Sequence, residues 1–585
     1  MANIKITDLD ALTAVDGADL VEVVDDVAGT ATSKKMTHKN LLLYNQYKGG
    51  DIASASPLVV DTDGNYFDVT GTTGFAAMTV AANRFFVLQF DGALTMTHHA
   101  TNLDLPGEKN ITTAAGDIGV FFSTGANTVQ CISYTKADGT PVAMVGQNLL
   151  TNSGFGVWSN STLENVGSAI LDDDAADDDT GDWTVVDNLT FDTDHYEWDW
   201  NDANDTCYIN NGASLTAGKL YKISVNIKDG TASSQQFQLW MNDGAEQVSL
   251  TKTTTSSFVT HTFVFECATT LATSDIGLKG ITDAAGNNIE FKAFTLYEVT
   301  PGCVAADTLA CDGWVKDNTA DIYRQHDDST YTKDGSFYSL KVVTAGASLQ
   351  MYKSNQTDDV WLSKINGRTL TLGAWVYASD ASHVKVEIYN GSSYDGSDYH
   401  SGGSSWEWLE VTSTIATDNT VGKVGFRFEL SGKTCYISQP MLVFGSSIGE
   451  GNYHPIPGER IFFEAEIQSN TLQASGWSDV ASTLLNVEAD SNGKIPKGVK
   501  ALNAMSACID SDSAATLTYF ALDPIAANTA SNYVNCPHGK ANDTQSIHGG
   551  IAICDANGDV YYQIEASGAN TFDIGIFRYT GCILR

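Results

Sequence analysis

Along most of the chain, apolar and polar residues alternate with a period of two over short runs rich in Val, Ile, Phe, Tyr and Thr. Successive side chains of a strand point to opposite faces, so each such run reads as a strand with one face toward a core. The runs are separated by Asp91-Gly92, Asp138-Gly139, Asp229-Gly230, Asn390-Gly391, Asn492-Gly493 and Asn557-Gly558, pairs that suit tight hairpins. Apolar stripes at helical spacing are scarce, with a brief candidate near Asn40 to Tyr44. The pattern predicts an all-β protein.

The 585 residues exceed what one hydrophobic core holds and should divide into modules of roughly 100 to 150 residues. A short strand, Leu20 to Val24, and a Thr/Ser/Lys turn at Thr32 to Thr37 mark a segment over residues 1–48. Residues 49–145 form a second unit, with strands predicted at Pro57 to Val60, Tyr66 to Val69, Phe85 to Phe90, Leu94 to His98, Ile118 to Phe122 and Thr128 to Tyr134. Residues 446–460, rich in Gly and Pro, read as a linker. Beyond it, residues 461–585 carry strands at Phe462 to Ile467, Ala515 to Phe520, Ile551 to Cys554, Val560 to Ile564 and Phe572 to Tyr579.

Between them, residues 146–300 and 301–445 read as two copies of one domain. Gly218 to Ile227 lies over Gly367 to Val376, Phe237 to Met241 over Val384 to Tyr389, Ile276 to Lys279 over Val424 to Arg427, and Phe291 to Tyr297 over Tyr436 to Leu442. In the second copy the alternation sends Leu370, Leu372, Ala374, Val376, Val384, Val386, Ile388, Val424, Phe426 and Phe428 inward. It leaves Trp375, Tyr377, Lys385, Glu387, Tyr389 and Arg427 outward. Aromatic rings offer platforms for sugar rings, and Lys, Glu and Arg supply hydrogen bonds to hydroxyls. The first copy offers Asn226, Gln238, Trp240 and Lys279. The same residues equally suit plain sandwich surface or a contact with a neighbouring chain, and Trp406 and Trp408 suit a cap on the core.

Four resemblances add to this reading. Ile6 to Leu9, Leu20 to Asp25, Thr32 to Thr37 and Asn40 to Leu42 resemble the opening of tailed-phage fibre proteins, which implies attachment to other tail or capsid proteins. Ser56 to Asp61, Leu88 to Gly92, Leu103 to Gly107 and Asn110 to Asp117 resemble a module of phage tail fibres. Asn148 to Phe155 with Trp158, and Asp312-Gly313-Trp314 with Gly335 to Val342, resemble jelly-roll carbohydrate-binding modules. Gly498 to Leu502 and Ser506 to Ala515 resemble C-terminal fibre heads. Together they imply a multidomain chain of β-sandwich modules assembled as a homotrimeric fibre in a virion, binding host-surface polysaccharide without catalysis. A depolymerase with accessory binding modules and a decoration protein with no ligand are the alternatives.

Charge narrows the partners. With 71 acidic and 32 basic residues the formal charge is −39, which repels nucleic-acid phosphates. No apolar run approaches the roughly 20 residues that span a bilayer, and no basic-then-apolar leader stands at Met1 to Lys5, so neither membrane insertion nor secretion is expected. The ten cysteines include no Cys-x-x-Cys pair and read mostly as free, with Cys303 and Cys311 spaced so that a disulfide stays open. No cofactor is expected beyond calcium as a structural ion: Asp61 to Asn65 resembles part of a calcium loop but lacks the distal Glu, and Asp172 to Asp174 with Asp177 to Asp179 read as a solvated loop. Gly445-Ser446-Ser447-Ile448-Gly449 spells Gly-x-Ser-x-Gly, but a nucleophile elbow needs a helix directly after it. His98, His99, His538 and His548 lack metal-site spacing.

Overall fold

The computed structural model describes residues 20–25, 32–37, 47–106, 110–137, 147–173, 182–210, 214–281, 286–304, 306–326, 330–445, 447–526 and 531–584. It is all-β, with two short helices, Asp359–Ile365 and Val487–Asp490, among the described residues. The chain forms two compact units, residues 1–145 and 146–585.

In the first unit Leu20–Asp25 and Thr32–Thr37 pair antiparallel, so the expected Thr/Ser/Lys turn is itself a strand. The helical candidate near residues 40–44 lies outside the described residues. A six-stranded mixed sheet follows, built on Tyr66–Thr70, Phe85–Phe90, Ile118–Gly125 and Thr128–Thr135. Its core gathers Phe67, Phe75, Phe86, Leu88, Phe90 and Phe121. The loop from Asp61 to Asn65 is tied down by protein groups: Asp63 accepts the Gly50 N–H (2.9 Å) and Asp61 that of Thr62 (2.6 Å).

In the second unit, two sandwiches repeat one topology. The outer sheet of the first runs Trp183–Val185, Thr206–Ile209, Asp275–Gly280, Gln236–Asn242, Glu246–Val248. That of the second runs Trp314–Lys316, Leu349–Lys353, Val424–Phe428, Val384–Tyr389, Tyr394–Gly396. The opposing sheets repeat even a bulge. Register slips between Ser224 and Asn226 in one and between Gly373 and Trp375 in the other, and the facing strands carry Ala293 and Gln439 at positive φ, the backbone a bulge requires. All ten residues expected inward in the second copy are buried in one core.

The two opposing sheets are one. The 17-residue strand Asn287–Cys303 crosses the first sandwich and pairs through Gly302 and Cys303 with Tyr323 and Ile322 of the second, giving a twelve-stranded sheet.

Residues 147–158 correct the expected boundary. Leu150, Phe155 and Trp158 pack in the core of the second sandwich, because Asn148 and Leu149 bond to Pro440 and Leu442. Residues 447–459 are coil, as their Gly and Pro imply, but do not hang free. Ile448 and Gly449 donate to Glu410, Tyr453 bonds Ser153, and the buried Glu459 accepts the Asn152 N–H.

The C-terminal lobe is a pair of four-stranded sheets. Its central strand, Ala501–Asp510, escapes sequence reading because Ala, Asn, Ser and Cys weaken the alternation. The strand expected at Ala515 to Phe520 starts only at Tyr519, since Asp512 accepts from Thr516 and holds a turn before it. All ten cysteines are free, Cys303 and Cys311 included.

Arg324, fully buried, joins three lobes. It reaches Glu488 at 2.5 Å and the Gly493 carbonyl at 2.7 Å, both in the C-terminal lobe, stacks on Tyr338, and its own carbonyl accepts from Thr300 of the long strand. Arg324→Leu leaves the Glu488 carboxylate buried and uncompensated, and urea unfolding should show a loss of about 3–5 kcal/mol. Adding Glu488→Leu should recover most of it.

Burial pushes the Glu459 and Asp559 carboxyls up to about 7. The native state therefore holds protons that the unfolded chain releases from its ordinary carboxylate range upward. Their contribution to stability is complete below that range and is lost as pH rises through about 7. Stability should fall from pH 4.5 to 7.5 on this account, a range set about the two carboxyl values, and Glu459→Gln with Asp559→Asn should flatten the profile.

Candidate functional site

The outward residues chosen by alternation do not form one face. Trp375 and Tyr377 belong to the large shared sheet, whereas Lys385, Glu387, Tyr389 and Arg427 belong to the outer sheet on the opposite side of the sandwich. The chain crosses from one sheet to the other between Ala378 and Val384. "Outward" therefore means opposite directions on the two strands. In the first copy Asn226 lies on the shared sheet, where it accepts from Thr260 (2.7 Å), while Gln238, Trp240 and Lys279 lie together on the outer sheet.

On the shared sheet Trp375 is only 8% exposed. Its ring meets Trp408 edge-on at 5.9 Å and lies under the Lys333 ammonium at 4.2 Å. Tyr377 packs against Trp406, Tyr331 and Tyr436. Trp406 and Trp408 thus stand on the outward face with these rings and do not cap the core. The segment around Tyr331 and Lys333 covers the cluster, which makes it packing and not a platform.

The outer sheets are more informative. In the second sandwich one cross-strand row reads Val315, Tyr352, Gly425, Glu387, Gly396, and the next reads Gln350, Arg427, Lys385. In the first sandwich the equivalent rows read Thr184, Tyr208, Gly277, Trp240, Val248 and Thr206, Lys279, Gln238. The glycine is obligatory in both. A Cβ on Gly277 would stand 2.0 Å from the Cys207 carbonyl oxygen, and one on Gly425 2.1 Å from that of Met351. Each glycine leaves a bare stretch of backbone flanked by a tyrosine.

The two rows then diverge. In the first sandwich Trp240, 7% exposed, packs on Tyr208 at 5.2 Å, and Glu246 accepts from its indole N–H (3.0 Å) and pairs with Lys279 (2.5 Å). There the indole N–H and the lysine are both spent on Glu246. In the second, Glu387, Tyr352, Tyr394, Lys423 and Gly425 line a narrow crevice floored by Met351, Val424 and Phe426, too tight as it stands for a water molecule. Glu387 is 4% exposed; one carboxylate oxygen accepts from Gln350, and the other, Oε2, has no hydrogen-bond partner. Burial pushes this carboxyl above its ordinary range, opposed by the Gln350 hydrogen bond and by Arg427 and Lys385. Beside it burial also works against the Glu429 carboxylate, yet hydrogen bonds from Arg427, Ser348 and Tyr399 hold it at about 2. Tyr389 stands one row further along, against Tyr394 at 5.1 Å.

A larger cleft of about 140 Å³ lies between the second sandwich and the C-terminal lobe, walled by Phe337, Tyr453, Pro455, Ile456 and Pro496. Tyr453 and Glu459 at its edge are already bonded to Ser153 and Asn152, and Lys497 to Glu266. It reads as a packing seam. Asp192, His195 and Glu197 bring ligand atoms within 4.8 Å of one another, but both His195 nitrogens are engaged, at 3.0 Å by Asp194 and 2.9 Å by Glu290. Asp173 is no solvated-loop residue: it accepts from Trp183 and Tyr196. Asp174 and Asp177 to Asp179 lie outside the described residues, as does Ser446. Of the histidines set aside in sequence, His99 accepts from Thr101 and Asn102 and His538 bonds Thr516. No helix among the described residues is long and apolar enough to cross a membrane.

No family model and no curated protein matches the chain. Solved structures do. The tandem CBM22-1–CBM22-2 domain of Paenibacillus barcinonensis Xyn10C is 12% identical over 48% of this chain and 99% of its own, with a TM-score of 0.23. The N-terminal cellulose-binding domain of Cellulomonas fimi β-1,4-glucanase C is 15% identical over 23% and 97%, at 0.19. The CBM22-1–GH10 modules of Clostridium thermocellum Xyn10B, complexed with xylohexaose, are 16% identical over 23% and 29%, at 0.20. At such identities and scores the likeness carries no ligand across.

Trp375→Ala should lower stability by about 3 kcal/mol, as a buried Trp does, in thermal or urea unfolding. Any ligand held on the outer sheet should bind the folded variant unchanged, because Trp375 lies on the opposite side. Gly425→Ala should destabilise by about 1–3 kcal/mol, the cost of forcing atoms into a packed site.

Proposed function

We propose that the chain is a non-catalytic glycan-binding protein that reads polysaccharide on the outer sheet of its second sandwich. The Tyr352–Gly425–Glu387 row carries this reading: tyrosine rings border a trough floored by backbone, and Glu387, one carboxylate oxygen of which is buried without a hydrogen-bond partner, lines it. A sugar would engage such a row through an apolar ring face on tyrosine and, once the side chains packed over Glu387 part, through a hydroxyl donated to its carboxylate. The first sandwich, its equivalent row closed by Trp240 and Glu246, takes no part in this reading.

In this reading the protein is a homotrimeric tailed-phage fibre, joined to other virion proteins through residues 1–48 and attached to host-surface polysaccharide by several weak contacts acting together. That role rests on the sequence resemblance of residues 1–145 and of the C-terminal lobe.

Titration of full-length protein with host-type surface polysaccharide tests the site. Wild type should bind, Tyr352→Ala should bind about tenfold more weakly for the loss of one stacked ring, and no new reducing ends should form. Unchanged binding by the variant would remove the site from the reading; reducing-end release would remove the absence of catalysis.

A further inference from the structure

The second outer sheet carries cations in an arrangement that a neutral sugar does not require. Arg427 is ion-paired, with Glu429 at 2.6 Å. Lys385 and Lys423 form no ion pair among the described residues and lie instead over tyrosine rings, Lys385 at 5.0 Å from the centre of Tyr399 and Lys423 at 4.3 Å from that of Tyr352. Both are half-buried, so the rings replace part of their water while leaving the charge uncompensated. Other described lysines also form no ion pair and lie over rings, Lys333 over Trp375, Lys341 over Tyr323 and Lys353 over Trp361; what sets Lys385 and Lys423 apart is their place. Lys423 lines the Glu387 crevice and Lys385 stands on the same strand two residues before Glu387.

Glu387 supplies the second observation. Its Oε2 is buried and without a hydrogen-bond partner in a residue that lines the crevice, an acceptor fit for a hydroxyl and not for an anion. Ammonium groups flanking a hydroxyl acceptor match a ring that carries both hydroxyls and a carboxylate. The first sandwich lacks this chemistry, since its Lys279 is neutralised by Glu246.

We propose that the second outer sheet selects acidic polysaccharide, a uronic-acid polymer, with Lys385 and Lys423 reading the carboxylate and Glu387 a hydroxyl. This rests on the glycan-binding reading and specifies its ligand class. The body of the protein repels a polyanion, so attraction is confined to this face and should weaken with salt over the range in which the screening length drops below roughly 10 Å.

The test is binding of full-length protein to polygalacturonate, alginate and hyaluronate, to their methyl-esterified counterparts, and to neutral xylan and β-glucan, at low and high salt. At least one polyuronate should bind about tenfold more tightly than its ester, lose that advantage in high salt, and lose it in Lys385→Gln/Lys423→Gln, a variant that should still unfold cooperatively with a slightly lowered melting temperature, since each lysine gives up its contact with a tyrosine ring. Equal binding of acid and ester, or tight binding of neutral polymers alone, overturns the acidic selectivity and leaves glycan binding standing. Binding to none of these polymers overturns the uronate proposal and counts against the glycan reading too.

Discussion

One strand sets the geometry of most of this molecule. Asn287–Cys303 closes the first sandwich and, in its last two residues, hydrogen-bonds to the second. Two sandwiches joined by coil would hinge. Joined by a continuous sheet they cannot rotate without breaking ladder hydrogen bonds, each exposing a backbone donor and acceptor that had been buried. Arg324 locks the same seam from behind, and its pairing is imperfect: Arg324 Nε and Glu488 Oε2 find no hydrogen-bond partner. A buried ion pair so placed returns little net stability. Its effect is on arrangement, because the charge is satisfied only when both sandwiches and the C-terminal lobe meet at this point. The two outer sheets consequently hold a fixed relation to each other and to the C-terminal lobe.

The fold class was legible because strand alternation and hairpin turns are local signals, and the ten inward residues of the second sandwich were legible for the same reason. The site was legible only in part. Alternation tells which side of its own strand a residue takes, but not which sheet the strand joins, so Trp375 and Tyr377 were grouped with Lys385 and Glu387 from the far side of the sandwich. Tyr352, Tyr394 and Lys423 were missed because they come from other strands and meet Glu387 only across the sheet. A signal for them existed: Gly277 and Gly425 fall at the same place in the two aligned blocks, inside strands where glycine is costly. A repeated glycine in a strand marks a close backbone approach, and its row neighbours are the residues to examine. Residues 147–158 were assigned to the wrong sandwich because sequence order favours the next domain, while Asn148 and Leu149 bond to Pro440 and Leu442, nearly 300 residues on.

The two sandwiches show how one scaffold yields two faces. Both keep the tyrosine and the glycine, which set the shape of the row, and differ at the next position, Trp240 in one and Glu387 in the other. Tryptophan packs on Tyr208 and gives its indole N–H to Glu246, which in turn neutralises Lys279. Glutamate is too short to fill the same space. It sinks beside Gly425, is desolvated, and spends only one oxygen on Gln350. Burying a carboxylate oxygen with no donor costs more than leaving it in water, and nothing in the packing of this sandwich requires an acid there, since its core lies on the other side of the sheet and is complete without it. An acceptor held at such a cost, beside lysines that form no ion pair among the described residues, is what the proposed ligand would satisfy.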